Sequence, residues 1–388
     1  MKSQLPYARL SGFYFFYYAA VGAYLPYWSL YLDSLGYTPV DIGALMAVAA
    51  FTRIFAPLLW GWYADHAEVR MPIIRTASFL SLVFFVMIPF VHSFTSLLLI
   101  MLVYSFFWNA TLPQFEAVTL NHLQDDEHRY GSIRLWGSVG FVIAVIAVGP
   151  LLDRTGLEPL PFMIAAMSLA MGLTSLWVPD SAYQPTSRPE DKGLWRVLRQ
   201  PQVISLLLAC FLSQISFGPF YAFFSIFLEE HGYSRSMIGM LWSLGVVAEI
   251  GVFMTMAQLF RLFGARPLML VALALTAVRW AVLAWRVDSL AALLFVQLLH
   301  LVSFGVYHAV SLHLIHRLFR GRLQGRGQAI YSSVSFGAGG GIGVFLSGWM
   351  WEAWSGEWVY ISAAVVAVLA TLIAFLGIRE PGGVKTAA

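Results

Sequence analysis

Apolar runs of more than about 18 residues follow one another along the chain, broken by Gly, Pro or clusters of charge. Each is long enough for a helix to cross a hydrocarbon core about 30 Å thick. Placing one helix on each run predicts twelve, over residues 10–32, 38–63, 72–91, 95–120, 131–152, 160–178, 202–228, 235–260, 266–285, 289–316, 325–351 and 358–378. Runs of this length suit helices better than the roughly 10-residue alternating strands of a membrane barrel, so the expected fold class is an all-α membrane protein. The first run, from Leu10 past Tyr31, shows no small-residue cleavage site and reads as the first span, not as a leader.

A polar stretch from Pro179 to Gln200, holding Pro185, Pro189 and charges of both signs, separates six spans from six. The expected organisation is a six-helix bundle over 1–178, a cytoplasmic linker over 179–200 and a second six-helix bundle over 201–388. The halves repeat: Leu32, Gly36, Tyr37, Ile42 and Gly43 recur as Leu228, Gly232, Tyr233, Ile238 and Gly239, and Gly131 recurs as Gly327, always 196 positions later. Repeated six-helix halves related by an axis along the membrane normal are the design of major facilitator transporters, which alternate access by rocking one half against the other.

Composition agrees with a membrane protein. The chain has 388 residues, 59% of them hydrophobic and 11% charged, with a mean hydropathy of +0.74, and cannot furnish the polar surface of a soluble domain. With the N-terminus inside, Lys2, Arg9, Arg70, Arg75, Arg129, Arg188, Lys192, Arg196, Arg199, Arg261, Arg266, Arg317, Arg320, Arg322, Arg326, Arg379 and Lys385 fall on the inner side, against Arg154, Arg235 and Arg286 outside. This bias places both termini in the cytoplasm. The net charge of +3 is spread over many short connections and forms no basic patch interleaved with aromatics, which argues against nucleic acid. Cys210 is the only cysteine, so a disulfide, an iron–sulfur cluster and a cysteine-based zinc site are excluded. No HExxH spacing, phosphate loop or nucleophile elbow occurs, and no metal, cofactor or enzyme activity is expected. The glycine-rich run Gly337–Gly343 lies inside the eleventh span without a preceding strand and reads as a helix-packing surface.

Against this background five ionisable side chains stand out within the apolar runs: Arg53, Glu116, Arg134, Glu249 and Arg279. Each costs about 2.5–3.5 kcal/mol in a bilayer unless it meets a partner or water, which makes it a functional candidate. Glu116 and Arg134 lie at matched depth near the cytoplasmic ends of spans four and five, where an ion pair between adjacent helices is expected; such a pair can also be purely structural. Glu249 is central in span eight, and alternation between apolar and cation-rich surroundings would load and release a proton. The repeat equates it with Arg53, whose head could otherwise snorkel to an interface. Arg279, central in span nine, would neutralise Glu249 or receive an anion. His300 and His308 in span ten could relay protons or simply pack with a hydrogen bond. Three Arg against two Glu leave one positive charge in excess, which an anionic substrate would relieve, since guanidinium binds carboxylate bidentately. Tyr24, Phe220 and Tyr221, on helices expected to line a cavity, could sandwich an aryl group.

Two segments resemble known families. Gly61-Trp-Tyr-Ala-Asp65 through Arg70 resembles the major facilitator signature loop, with His66 and Glu68 in place of its basic residue and glycine; Gly61, Asp65 and Arg70 are then gating residues. Tyr130-Gly-Ser-Ile-Arg134-Leu-Trp-Gly-Ser-Val-Gly140 with Glu116, Leu241 through Glu249, and Val278-Arg279-Trp280 resemble lactose permease and, more specifically, the bacterial 3-phenylpropionate permeases. The resemblance implies that Glu116 and Arg134 bind substrate, that Glu249 couples it to a proton, and that Arg279 and His300 belong to the proton network. Ser303 stands where the permease carries its main proton-accepting Glu, so this chain departs from the permease at that position.

The expected function is proton-coupled symport of a small organic anion, an aromatic monocarboxylate, by a monomer in the bacterial inner membrane. A sugar or nucleoside symporter, a drug exporter, or a receptor that kept the fold and lost transport are the alternatives.

Overall fold

The computed structural model describes residues 5–124, 126, 129–180 and 193–379; most of the expected linker, 181–192, lies outside the described residues. Twelve long helices follow in order: α1 (Tyr7–Ser34), α2 (Pro39–Ala67), α3 (Met71–Val86), α4 (Phe94–Leu123), α5 (Tyr130–Thr155), α6 (Leu160–Trp177), α7 (Pro201–Glu230), α8 (Arg235–Phe263), α9 (Ala265–Arg286), α10 (Leu290–Leu318), α11 (Gln324–Ala353) and α12 (Gly356–Gly377). All except α1 meet a plain length-and-hydropathy test for crossing a membrane. In α1 the score is diluted by its tyrosines, although its 28 residues are ample for a span.

The helix starts are chemically specified. Gly36 turns the chain after α1 with φ +81°, and Thr38 then caps α2: its Oγ1 accepts from the Asp41 amide at 3.2 Å while the Thr38 amide donates to Asp41 Oδ2 at 3.2 Å. At the repeat-equivalent turn Gly232 has the same φ of +81°, and Ser234 Oγ accepts from the Met237 amide at 3.2 Å. The repeat seen in the letters is thus a repeat of backbone conformation, at a position where only glycine is unstrained. Helix pairing recurs as well. α1 packs on α5 and α6, and α3 on α4 and α6; in the second half α7 packs on α11 and α12, and α9 on α10 and α12. The chain therefore forms two pseudo-symmetric six-helix bundles.

Contact density divides the chain differently from this repeat. One compact unit comprises Met1–Ser187, Phe220–Ser243 and Val344–Ala353; the other comprises Arg188–Pro219, Leu244–Gly343 and Trp354–Ala388. In the first unit Leu10, Phe13, Tyr14, Phe115, Val118 and Met171 form the core between α1, α4 and α6. In the second, Val203, Cys210, Met269, Leu273, Tyr307 and Ala370 do so between α7, α9, α10 and α12. The glycine-rich run of α11 packs as expected: a Cβ on Gly339 would lie 2.6 Å from the Phe211 carbonyl and one on Gly343 2.5 Å from that of Ile215, so the α7 and α11 backbones touch.

Three interruptions were not foreseen from the pattern. α7 breaks at Phe217, between Pro201–Ser216 and Gly218–Glu230. α10 and α11 each contain a π-helical stretch, Leu301–Val306 and Ser333–Gly339. Hydropathy is blind to an extra residue within a turn, and such turns concentrate at functional sites.

Candidate functional site

The buried polar chemistry of the second unit converges on Arg279, which α9 carries into the interior with no exposed surface. Its Nη1 donates to His300 Nδ1 at 3.0 Å and to Ser303 Oγ at 3.1 Å, and its Nη2 donates to Gln297 Oε1 at 3.4 Å. The guanidinium also stands 4.5 Å from the Trp280 ring centre. On the far side of the imidazole, His300 Nε2 lies 3.7 Å from Glu249 Oε2. Because guanidinium can only donate, Nδ1 of His300 must accept, so the ring proton sits on Nε2 and faces Glu249. Glu249, His300 and Arg279 are thus brought together as one line of groups, with Ser303 and Gln297 completing the hold on the guanidinium. The π-helical turn of α10 supplies Ser303 to this cluster, and Gly305 in the same turn lets Glu249 and Val252 of α8 approach.

His308 stands apart from this line. It lies on the same face of α10, but the Phe304 ring is stacked between the two imidazoles, 5.3 Å from His300 and 5.8 Å from His308. His308 instead shares a 3.4 Å contact with the Tyr331 hydroxyl.

In the first unit the expected Glu116–Arg134 ion pair is not formed. Among the described residues no carboxylate lies within 4.0 Å of Arg134, which instead donates to the Tyr18 hydroxyl and stands 4.0 Å from that ring's centre. Glu116 accepts from the Tyr130 hydroxyl at 3.3 Å. Matched depth on neighbouring helices was the ground for expecting the pair, but tyrosines from α1 and the start of α5 reach each charge first. Arg53 is exposed on α2 and makes no ion pair among the described residues. One residue before it, Thr52 accepts from Asn109 Nδ2 at 2.8 Å, and the same amide donates to the Ala49 carbonyl at 2.9 Å, pinning α4 to α2.

From Arg134 an aromatic ladder runs along α1. Tyr18 contacts Tyr17 at 5.0 Å between ring centres, Tyr17 stacks on Trp108 at 4.6 Å, and Trp108 leads to Tyr104 at 5.8 Å. Tyr104 meets Phe85 at 5.0 Å, Phe85 meets Trp28 at 5.3 Å, and Trp28 stacks on Tyr24 at 5.3 Å. Tyr24 therefore belongs to this wall. Phe220 does not: it is buried against Trp242, 4.6 Å away, with half-buried Tyr221 beside it.

Gly61, Asp65 and Arg70 do converge. Arg70 bridges Asp65 Oδ1 at 3.1 Å and Gln114 Oε1 of α4 at 2.6 Å, and a Cβ on Gly61 would lie 3.7 Å from Gln114 Nε2. Gln114 was not foreseen, since a lone amide in an apolar run carries no charge signal. Glu68, where the signature loop has glycine, adopts the left-handed conformation at φ 54°, ψ 29°. A side chain there costs about 1 kcal/mol. Glu68→Gly is expected to raise stability by about 0.5–1 kcal/mol, read as a higher melting temperature in detergent; an unchanged or lower value would show that this turn stores no strain.

The chain is similar to known proteins along most of its length. Residues 7–362 match the MFS_1 like family. The chain is 30% identical over 363 residues, 93% of its length and 95% of the relative's, to a probable 3-phenylpropionic acid transporter of Escherichia coli. It is 29% identical over 374 residues, 94% of its length and 92% of the relative's, to the maltose permease of Geobacillus stearothermophilus. The crystal structure of nucleoside transporter NupG superposes with a TM-score of 0.82 at 17% identity, covering 97% of this chain and 99% of that one. Eleven helices among the described residues long and apolar enough to cross a membrane, in a doubled six-helix design with charges gathered inside them, are thus those of a multi-pass membrane transporter, and the chain belongs to the MFS_1-like family of the major facilitator superfamily.

Proposed function

We propose that the protein is a proton-coupled symporter that brings a small aromatic monocarboxylate across the bacterial inner membrane, with both termini in the cytoplasm, working as a monomer and alternating access between bundles 1–178 and 201–388. The observation that carries this reading is the pairing of Arg134 with a tyrosine and not with Glu116. A guanidinium without a carboxylate partner stands at the foot of an aromatic ladder. A substrate carboxylate would take the bidentate place left open on Arg134, and its ring would lie along Tyr18, Tyr17 and Trp108. In this reading Glu249, read through His300 by Arg279, carries the proton, and Asp65, Arg70 and Gly61 form an inner gating contact. The similarity to the probable 3-phenylpropionic acid transporter supports the choice of acid.

The test is uptake of 3-phenylpropionate into proteoliposomes under an imposed pH gradient, with a protonophore as control. Accumulation that collapses with the protonophore is expected, and Arg134→Gln should weaken apparent affinity by about 10–100-fold, the loss of one charge-assisted pair. Uptake indifferent to the protonophore for every aryl acid tried would overturn coupling. The similarity to maltose permease favours a sugar as the second reading. A neutral sugar has no carboxylate to set against Arg134, so competition by maltose in place of the acid would select it.

A further inference from the structure

The segment Phe220–Ser243 belongs to the same compact unit as α1 and α5, and a polar corner joins them. Asp153, in the last turn of α5, accepts from the Arg235 amide at 2.9 Å through Oδ1 and from the Ser236 amide at 3.0 Å through Oδ2. The same Oδ2 also accepts from the Ser236 hydroxyl. The first turn of α8 is therefore capped by a residue of another helix, more than eighty positions earlier in the chain. The exchange runs both ways: Arg235 Nη1 donates to the Leu152 carbonyl at 2.9 Å while Glu229 steadies its Nε at 3.0 Å. A carboxylate thus meets the positive end of one helix and a guanidinium the negative end of the other, each the favourable sense. Beneath them the Tyr27 hydroxyl donates to the Val145 carbonyl at 2.9 Å and reaches the Arg235 carbonyl at 3.4 Å, tying α1 into the same corner.

This join is unlike the apolar core between α1, α4 and α6. Asp153 is exposed at the helix ends remote from the chain's N-terminus, so water can replace every bond it makes when the segment withdraws, and the same bonds re-form on return. An apolar seam of similar extent would carry a hydration cost at each opening. We propose that Asp153 is a reversible latch: its capping of α8 holds the segment Phe220–Ser243 closed against α1 and α5, and the transport cycle breaks and remakes that cap. The inference rests on the transporter family alone and not on the identity of the substrate.

Val145, fully buried under the corner, supplies the probe, and the only native thiol, Cys210, is buried and can be removed. In a Cys210→Ser, Val145→Cys background, the rate of reaction with a membrane-impermeant maleimide reports opening. Asp153→Asn should raise that rate at least fivefold, and Ser236→Ala by a smaller factor. Joining the two sides through Asp153→Cys and Ser236→Cys, oxidised to a disulfide, should suppress labelling at position 145 until reductant is added. A rate for Asp153→Asn within twofold of the parent, in protein of parental melting temperature, overturns the latch. If that variant does not fold, labelling unchanged by the oxidised cross-link overturns it equally.

Discussion

Arg279→Leu is expected to abolish transport and to lower the free energy of unfolding by about 3–5 kcal/mol, the cost of removing one partner from a buried charge network. Leucine fills space but leaves the His300 Nδ1 acceptor, the Ser303 hydroxyl and the Gln297 carbonyl without the donor that organises them. It also leaves Glu249 facing an imidazole that nothing holds in its tautomer. Arg279→Lys separates charge from geometry. One ammonium cannot reach His300 and Ser303 on one side and Gln297 on the other as the two arms of the guanidinium do, so most of the stability should return and little of the transport. Thermal unfolding in detergent and uptake into proteoliposomes give the two readouts. A Leu variant that melts like the parent would mean that the cluster contributes nothing to the fold.

The parts of this site that were legible in the sequence share one property. A formal charge in an apolar run cannot be hidden, so Glu249 and Arg279 announced themselves and the imidazole of His300 could be expected to lie near them. The helices were legible for a related reason, because a span needs about 20 apolar residues whatever its neighbours. The repeat of Gly36 in Gly232 survived into the same φ of +81° because a left-handed turn admits few other residues. What stayed hidden depends on which neighbour reaches a group first. Glu116 and Arg134 had matched depths, yet the hydroxyls of Tyr130 and Tyr18, indistinguishable in a hydropathy profile from packing aromatics, took their places. Gln114, Gln297 and Asn109 are neutral amides whose roles come only from the helix they face. Nothing in the letters marks Asp153 as the cap of another helix, and the π-helical turns of α10 and α11 leave no mark on periodicity. Phe220 shows the opposite error: an aromatic on a helix expected to line a cavity is buried against Trp242.

Glu249→Gln should leave the carrier able to exchange substrate and unable to accumulate it. The amide keeps the shape of the carboxylate and its oxygen can still face His300 Nε2, so the line of groups to Arg279 survives and the fold should be little affected. What it loses is the ability to take up and release a proton. If Glu249 is the only coupled group, an inward pH gradient of about two units supplies about 2.7 kcal/mol per proton, enough for about 100-fold accumulation in the parent. In the variant the internal-to-external ratio should settle near unity, while counterflow exchange, which moves no net proton, continues at a similar rate. Glu116→Gln provides the contrast, because Glu116 is the other acidic side chain among the five intramembrane charges and bonds only to Tyr130 among the described residues. It should retain gradient-driven accumulation with altered affinity. The reverse pattern, accumulation kept by Glu249→Gln and lost by Glu116→Gln, would move the proton site to the first unit and make the Arg279 cluster structural. Loss of exchange together with accumulation in Glu249→Gln would instead show that the carboxylate is needed for the conformational change itself, since a group that only couples can be neutralised without stopping the carrier from turning over.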